Sequence, residues 1–169
     1  MSARALAAAL ALASTAVAGC ASAPMGGPPT INPGVFRGDD FSWSERSGSA
    51  AISGVITHRS DGRSYACAGS VGLTPDTPYT RNRIQRLYGA VERAAVPEAD
   101  VRSRNLADPG EDYRRFTRST TCQNNRFSFQ DLPDGSWFVI APVQAQGADR
   151  LVLMRRVQTR GGRPISIEL

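Results

Sequence analysis

The chain has 169 residues and a formal net charge of +5 at pH 7, and all twenty of its basic residues are arginine. This length suffices for one domain and a tail. The arginines are scattered and form no basic stripe interleaved with aromatic residues, which argues against a nucleic-acid partner. The absence of lysine is explained most simply by a coding bias. The alternative is a surface suited to phosphate or carboxylate, because guanidinium groups bind both in bidentate fashion.

The first residues have the layout of a secretory signal peptide. Arg4 supplies positive charge near the start, residues 5–17 form an apolar run, and Cys20 follows two small residues. The run is shorter than the roughly 20 residues that a membrane-spanning helix needs. It also lacks the polar face of a buried core helix. The pattern predicts a signal peptide over residues 1–19.

The end of this segment, Val17-Ala18-Gly19-Cys20, resembles the lipobox of bacterial lipoproteins. The resemblance implies cleavage before Cys20 and lipidation of its thiol, with acyl chains such as palmitate. Several acyl chains anchor a protein stably, because each buried CH₂ contributes about 0.8 kcal/mol. Ser22, in place of aspartate, implies the outer membrane, facing the periplasm, by similarity to the enterobacterial sorting rule. The alternative is an ordinary signal peptide that leaves Cys20 as a plain thiol.

Residues 20–49 are rich in Gly, Pro and Ser and show no periodicity. This composition predicts a lipidated flexible tether. Phe41 and Trp43, near its end, are candidates for docking on the domain that follows. That domain is predicted over residues 50–169.

Short strands dominate the predicted domain. Alternating apolar and polar residues, bounded by turn signals such as Asp61-Gly62, indicate half-buried strands. Seven strands at this spacing predict an all-β sandwich. They are expected over residues 50–57, 66–75, 113–122, 126–132, 136–143, 150–159 and 164–169, the last two forming a hairpin through the turn at 160–163.

A different pattern interrupts the strands over about residues 76–118. Apolar residues between 84 and 91 recur at helical spacing and predict a helix over 80–94, whereas residues 96–112 read as an exposed loop. In β-sandwiches, binding and catalytic residues tend to lie on loops and insertions that a rigid frame holds in place. We therefore expect this insertion to bind an envelope protein or an anionic envelope polymer. The candidate binding residues are Arg81, Arg83, Arg86, Arg114 and Arg115.

Cys67 and Cys122 are the cysteines that remain if Cys20 is lipidated. An exported chain enters an oxidising compartment, which favours a disulfide between them. A metal site is the alternative, but it would need further Cys or His ligands, and His58 is the only histidine. We expect no metal and no cofactor.

The segments "ISGVITHRSDGRSYACAGSVGLTP" and "NNRFSFQDLPDGSWFVIAPV" resemble the carboxypeptidase regulatory-like domain family. The family frame has a G-x-V strand, a D-G turn, a V-x-L-x-P strand and a segment G-x-F-x-F-x-x-L-P-x-G-x-Y, matched here over roughly residues 50–145. The resemblance implies a transthyretin-like, seven-stranded sandwich. It implies no peptidase activity, because the matching residues belong to the fold. Arg126 in place of glycine and the long stretch at 80–112 depart from the frame.

The sequence offers no convincing catalytic constellation. Nucleophilic catalysis needs a nucleophile beside a base, but His58 lies in a predicted turn and no G-x-S-x-G motif occurs. The sequence therefore predicts a non-enzymatic structural or adaptor module of the outer membrane. One alternative is a hydrolase with its site on the insertion at 76–118.

The other alternative is a carbohydrate-binding module with an exposed aromatic platform. The competing interpretation places these rings in the core or beneath the helix, because large aromatic side chains are usually buried. The residues considered for the platform are Trp43, Trp137, Tyr79, Tyr88 and Tyr113.

Overall fold

The computed structural model describes residues 32–107 and 110–169. The predicted signal peptide, Cys20 and the first part of the predicted tether lie outside these ranges. Within them, no helix has the length and apolar character needed to cross a membrane. The elements, in chain order, are a 3₁₀ helix Gly38–Glu45, β1 Ala50–Val55, β2 Arg59–Ser60, β3 Arg63–Ser64, β4 Ala66–Cys67, β5 Val71–Pro75, α1 Pro78–Tyr88, β6 Arg93–Pro97, α2 Glu98–Ser103, α3 Glu111–Arg114, β7 Arg118–Thr120, β8 Arg126–Leu132, β9 Gly135–Gln144, β10 Leu151–Thr159 and β11 Ile165–Glu168.

Two sheets form a β-sandwich, which confirms the predicted all-β class with a helical insertion. The smaller sheet has the order β11-β1-β8, with β1 parallel to β11 and antiparallel to β8. The larger sheet has the order β6-β10-β9-β5-β7, and β4 also pairs with β9. The strands β2 and β3 form a separate hairpin around Asp61-Gly62, both with positive φ.

Strand β9 is apolar on both faces because each face packs against another layer. Trp137, Val139 and Ala141 alternate along the strand, point into the sandwich and are fully buried with Ile52 of β1. Phe138 lies on the opposite face and belongs to a second core beneath α1. The long apolar run in the sequence thus reflects a central strand covered on both sides.

The predicted disulfide between Cys67 and Cys122 is present. Cys67 ends β4 and Cys122 follows β7, with their Cα atoms 6.1 Å apart and 55 positions apart in the chain. The Cys67 N–H also donates to the Asn125 side-chain carbonyl at 3.0 Å. The bridge therefore closes the loop that contains the whole insertion.

The insertion differs from its prediction. Its helix begins at Pro78 rather than at residue 80, because the Thr77 hydroxyl caps the first turn, and it ends at Tyr88 because Gly89 adopts φ 76°. Residues 96–103, predicted as part of a loop, are not one, since β6 pairs with β10 along the edge of the larger sheet and α2 follows directly. The insertion is therefore part of the sandwich.

Three strand predictions are also corrected. The strand predicted over 66–75 is divided into β4 and β5, and the first residues of the one predicted over 113–122 belong to α3. The last two strands form no hairpin, because β10 pairs with β9 and β6 while β11 crosses to the smaller sheet. The turn between them is held by Asp134, whose carboxylate accepts from the Gly161 and Gly162 N–H groups at 2.5 and 2.9 Å.

The segment before β1 packs on the domain, as predicted for Phe41 and Trp43. Phe41 is fully buried in an aromatic cluster with Tyr113 and Phe116. Trp43 meets Trp137 edge-on at 4.9 Å between ring centroids, and Gly135 lies so close that a Cβ there would overlap the Trp43 ring. This part of the predicted flexible tether belongs to the fold, because burying these rings removes a large apolar area from water.

Candidate functional site

Helix α1 presents a polar face to solvent because its apolar face covers the larger sheet. Ile84 and Tyr88 pack on Phe138 and Met154 in the second core. The spacing of Ile84 and Tyr88, four residues apart, places them on one side of the helix. The remaining side of α1 lines two clefts that share Asn82.

The first cleft runs along the N-terminal half of α1 and has a volume of about 590 Å³. Its walls combine apolar side chains with a carboxylate, a guanidinium and two carboxamides. The lining residues are Pro33, Asp76, Thr77, Pro78, Arg81, Asn82, Gln85 and Val91.

Asp76 anchors the polar wall of the first cleft. Its backbone N–H donates to the Ser136 carbonyl at 2.8 Å, which extends the pairing of β5 with β9. Its side chain is 1% exposed and accepts from Arg81 Nε at 2.9 Å and Arg81 Nη2 at 2.6 Å. Arg156 Nε on β10 donates to the same carboxylate at 2.5 Å. One buried carboxylate thus holds two guanidinium groups, and charge-assisted bonds of this kind are strong and directional.

Arg81 keeps its charge in this arrangement. Hydrogen bonding of the Arg81 guanidinium to the Asp76 carboxylate, which accepts, is the largest cause that raises the pKa of Arg81 above its ordinary value. Because Nε and Nη2 are engaged by Asp76, Nη1 is the amino group left for a ligand. The cleft therefore presents a fixed cationic donor beside the two carboxamides.

The second cleft lies on the other side of Asn82 and has a volume of about 130 Å³. Arg83 Nη1 donates to the Ala107 carbonyl at 2.8 Å, which holds that guanidinium at the cleft wall. Tyr79 and Arg86 also line it. Among the described residues, those that line this cleft offer donors and positive charge and include no acidic side chain.

Two clefts bring together three of the five predicted binding residues. Arg81 lines the first cleft, and Arg83 and Arg86 line the second. Arg114 and Arg115 line neither of these clefts. Arg114 pairs with Glu111 at 2.5 Å, whereas Arg115 lies 3.7 Å from Glu45 and its guanidinium covers the Phe116 ring at 4.6 Å.

Sequence reasoning missed Asp76, Asn82 and Gln85. The pair Thr77-Pro78 is a helix-start signal, with a capping hydroxyl before a proline at the first helical position. Residues 81, 82 and 85 fall within the helix predicted over 80–94 and share a face by helical spacing, whereas Asp76 lies outside that helix. Nothing in the sequence indicated that Asp76 contacts Arg156, eighty positions away.

The aromatic platform of the carbohydrate-binding alternative does not form among these side chains. Trp137, Tyr88 and Tyr113 are buried, and Trp43 and Tyr79 are half-buried. The competing interpretation is confirmed for Trp137 in the core and for Tyr88 beneath its helix. Of these five side chains, Tyr79 is the one that lines either of the two clefts.

His58, the base that the hydrolase alternative requires, packs its ring on Tyr65 with 5.3 Å between centroids. It lines a separate cavity of about 430 Å³ with Arg93, Leu153 and other mainly apolar residues. Among the described residues that line this cavity there is no Ser, Cys, Asp or Glu. Nor do the described ranges contain three or more His, Cys, Asp or Glu side chains grouped to hold a metal ion.

No family model matches this chain, and no curated protein sequence matches it. The resemblance to carboxypeptidase regulatory-like domains therefore stays a prediction. Among solved structures, a crystal structure of a Pseudomonas aeruginosa protein described as a "putative carbohydrate binding protein" is similar, with a TM-score of 0.56 and 19% sequence identity. The match covers 79% of this chain and 96% of that one, and at this identity it shows a shared fold.

Proposed function

We propose that this chain is a non-catalytic glycan-binding module of the bacterial cell envelope, with its site in the first cleft beside α1. The observation that carries the proposal is the set of polar groups in that cleft. Sugar hydroxyls both donate and accept hydrogen bonds, and the Asn82 carboxamide can do the same, while Arg81 donates. The Gln85 amide nitrogen already donates to the Gly89 carbonyl at 2.8 Å, so the side-chain carbonyl of Gln85 is its acceptor for a ligand. Pro33 and Val91 supply apolar surface for the C–H face of a sugar ring.

The size and rigidity of the cleft suit a saccharide. Its volume of about 590 Å³ lies within the range of small-molecule sites, roughly 300–1,000 Å³. Arg81 is held by Asp76, and Asp76 is held by strand pairing and by Arg156. A side chain that is already ordered loses less conformational entropy on binding, which favours affinity.

The surface favours a glycan over a protein partner for the adaptor function. Protein interfaces usually have an apolar and aromatic core. Across the described ranges, Val35 is the one large apolar side chain classed as exposed, at 50%. A cleft that combines several polar groups with apolar walls, on a described surface without an exposed apolar patch, fits a hydroxyl-rich ligand better. The description of the similar Pseudomonas aeruginosa protein agrees with this choice, although the proposal depends on the cleft itself.

An array of bacterial envelope oligosaccharides, probed with the full chain, tests the proposal. We expect selective binding, and a loss of about tenfold in affinity for Asn82→Ala, since tenfold corresponds to about 1.4 kcal/mol, one lost hydrogen bond. Gln130→Ala is the matched control, because Gln130 is an exposed carboxamide on β8. Binding of no oligosaccharide, or equal binding by Asn82→Ala and the wild type, would contradict the proposal.

We also propose that a lipid on Cys20 anchors the module in the outer membrane. The support is the sequence Val17-Ala18-Gly19-Cys20, preceded by an apolar run. Labelling with radioactive palmitate and membrane fractionation test it. Cys20→Ser is expected to abolish labelling and to release the protein from the membrane fraction. Unchanged processing and membrane association of Cys20→Ser would show that the cysteine is not an anchor.

A further inference from the structure

We infer that the glycan is anionic, and that Arg83 and Arg86 in the second cleft bind a carboxylate or phosphate group attached to a sugar seated in the first cleft. This inference rests on the proposed function and names the ligand class of the same site. It assigns distinct roles to the two clefts, one for hydroxyl groups and one for negative charge.

The two clefts are close enough for one ligand. Asn82 lines both of them, so their walls meet at this residue. Arg86 follows Asn82 by four residues, which is about 6 Å along the axis of a helix rising 1.5 Å per residue. A substituent on a sugar ring, or the next sugar in an oligosaccharide, spans such a distance.

The charges of the two clefts differ. In the first cleft, the buried Asp76 carboxylate lies against Arg81 and Arg156 and offsets part of their charge. In the second cleft, the ion pairs found within the described part of the chain include neither Arg83 nor Arg86. Of the two clefts, the second is therefore the one whose arginines have no carboxylate partner among these ion pairs, and an anionic group binds more favourably there than beside Asp76.

The guanidinium of Arg104 lies at the C-terminal end of α1, where Arg86 is also found. Arg104 Nη1 donates to the Leu87 carbonyl at 2.6 Å, and the Arg86 carbonyl is 3.5 Å from the same atom. Arg104 thus satisfies carbonyl groups at the C-terminal end of α1, a role that cations commonly have there. With this end already capped by Arg104 and Gly89, Arg83 and Arg86 are not needed as caps.

The segment at residues 33–34, which precedes the 3₁₀ helix, forms part of the wall of both clefts. Pro33 lines the first cleft and Gly34 lines the second. The Asn32 side-chain carbonyl accepts from the Gly34 N–H at 3.0 Å, and the Asn32 backbone carbonyl accepts from the Val35 N–H at 3.2 Å. A turn at Asn32 therefore orders this wall, and a ligand spanning the clefts contacts it at two neighbouring residues.

The test is an array in which each acidic oligosaccharide is printed beside its neutral parent. Uronates are paired with their methyl esters, and sugar phosphates with the dephosphorylated sugars, so that the two sources of negative charge are separated. We expect the full chain to bind acidic members of one of these series about tenfold more tightly than their parents, as one charge-assisted contact would produce. The double variant Arg83→Gln/Arg86→Gln should bind acidic members no better than their parents.

A charge-matched control distinguishes binding at the second cleft from general electrostatic attraction between the basic protein and an acidic glycan. Arg59→Gln/Arg63→Gln removes the same two charges from the exposed hairpin β2–β3 and should keep the preference for acidic members. Equal binding of acidic members and neutral parents would overturn the inference and leave the glycan proposal standing. If both double variants lost the preference for acidic members to the same extent, the inference would be overturned as well. Binding of no member by the folded wild type would overturn both proposals, and circular dichroism of each variant confirms folding.

Discussion

Replacing Asp76 by asparagine removes the one negative charge that holds both Arg81 and Arg156 at the first cleft. The Asp76 carboxylate is 1% exposed and accepts three hydrogen bonds from the two guanidinium groups. An asparagine amide group would turn N–H donors toward guanidinium donors. Removing one partner of a buried ion pair costs about 3–5 kcal/mol. Because the Arg81 and Arg156 side chains are 51% and 28% exposed, water recovers part of this energy, and we expect a loss of about 3 kcal/mol.

Urea unfolding followed by tryptophan fluorescence measures this loss. At roughly 3 °C per kcal/mol for a domain of this size, the melting temperature should also fall by about 10 °C. The control is Arg81→Gln, which should cost less, about 1–2 kcal/mol, because the buried Asp76 carboxylate keeps its bond from Arg156. A cost for Asp76→Asn below about 1 kcal/mol, or equal costs for the two variants, would refute the reasoning that the buried carboxylate organises the cleft.

Three further predictions concern stability. Burial raises the pKa of Tyr88 to about 12, so the unfolded chain ionises first and the free energy of unfolding should fall by about 2 kcal/mol between pH 10 and 12. Tyr88→Phe should reduce this fall in urea titrations at both pH values, and an unchanged fall would contradict the assignment. Thr159→Val should cost about 2–4 kcal/mol in urea unfolding, because the Thr159 hydroxyl accepts from Trp137 Nε1 at 3.3 Å and from a backbone N–H. Thr159→Ser should cost less, and a reversed order would count against a hydrogen-bonding role. Reduction of the Cys67–Cys122 bridge, which spans 55 positions, should lower stability by about 4 kcal/mol on the chain-entropy model, and equal unfolding midpoints with and without reductant would contradict this.

The strands of the sandwich core could be predicted because their sequence patterns follow local rules. Residues 126–132 alternate with period two, and residues 136–143 form an apolar run, so both were located within a residue or two. Strand β6 could not be predicted in this way, since "RAAVP" is short and contains alanines that suit a helix. Its pairing with β10 is a tertiary contact that overrides this local preference.

The error at the last two strands has a similar cause. The glycines at 161 and 162 correctly indicated a turn, and both have positive φ. A turn signal says that the chain reverses, but it does not say which strand becomes the neighbour. Here β11 joins β1 in the other sheet, and the turn is stabilised by Asp134 from outside the segment.

The candidate site was only partly predictable from the sequence. Their place on the predicted insertion pointed to Arg81, Arg83 and Arg86, which do line clefts. The cleft itself depends on how α1 lies on the larger sheet and on the chain segment at residues 33–34. Contacts of this kind join positions far apart in sequence, as Asp76 and Arg156 show, and they leave no local pattern.

The central claim is that a glycan binds beside α1, and an NMR titration tests it most directly. The ¹⁵N-labelled protein is titrated with the oligosaccharide that binds most strongly on the paired array, and backbone amide shifts are followed. The account predicts saturable shifts concentrated at residues 33–34 and 76–91, with the largest near Asn82, which lines both clefts. Shifts concentrated instead around His58 and Leu153, at the separate cavity, or no saturable shifts at all, would contradict it.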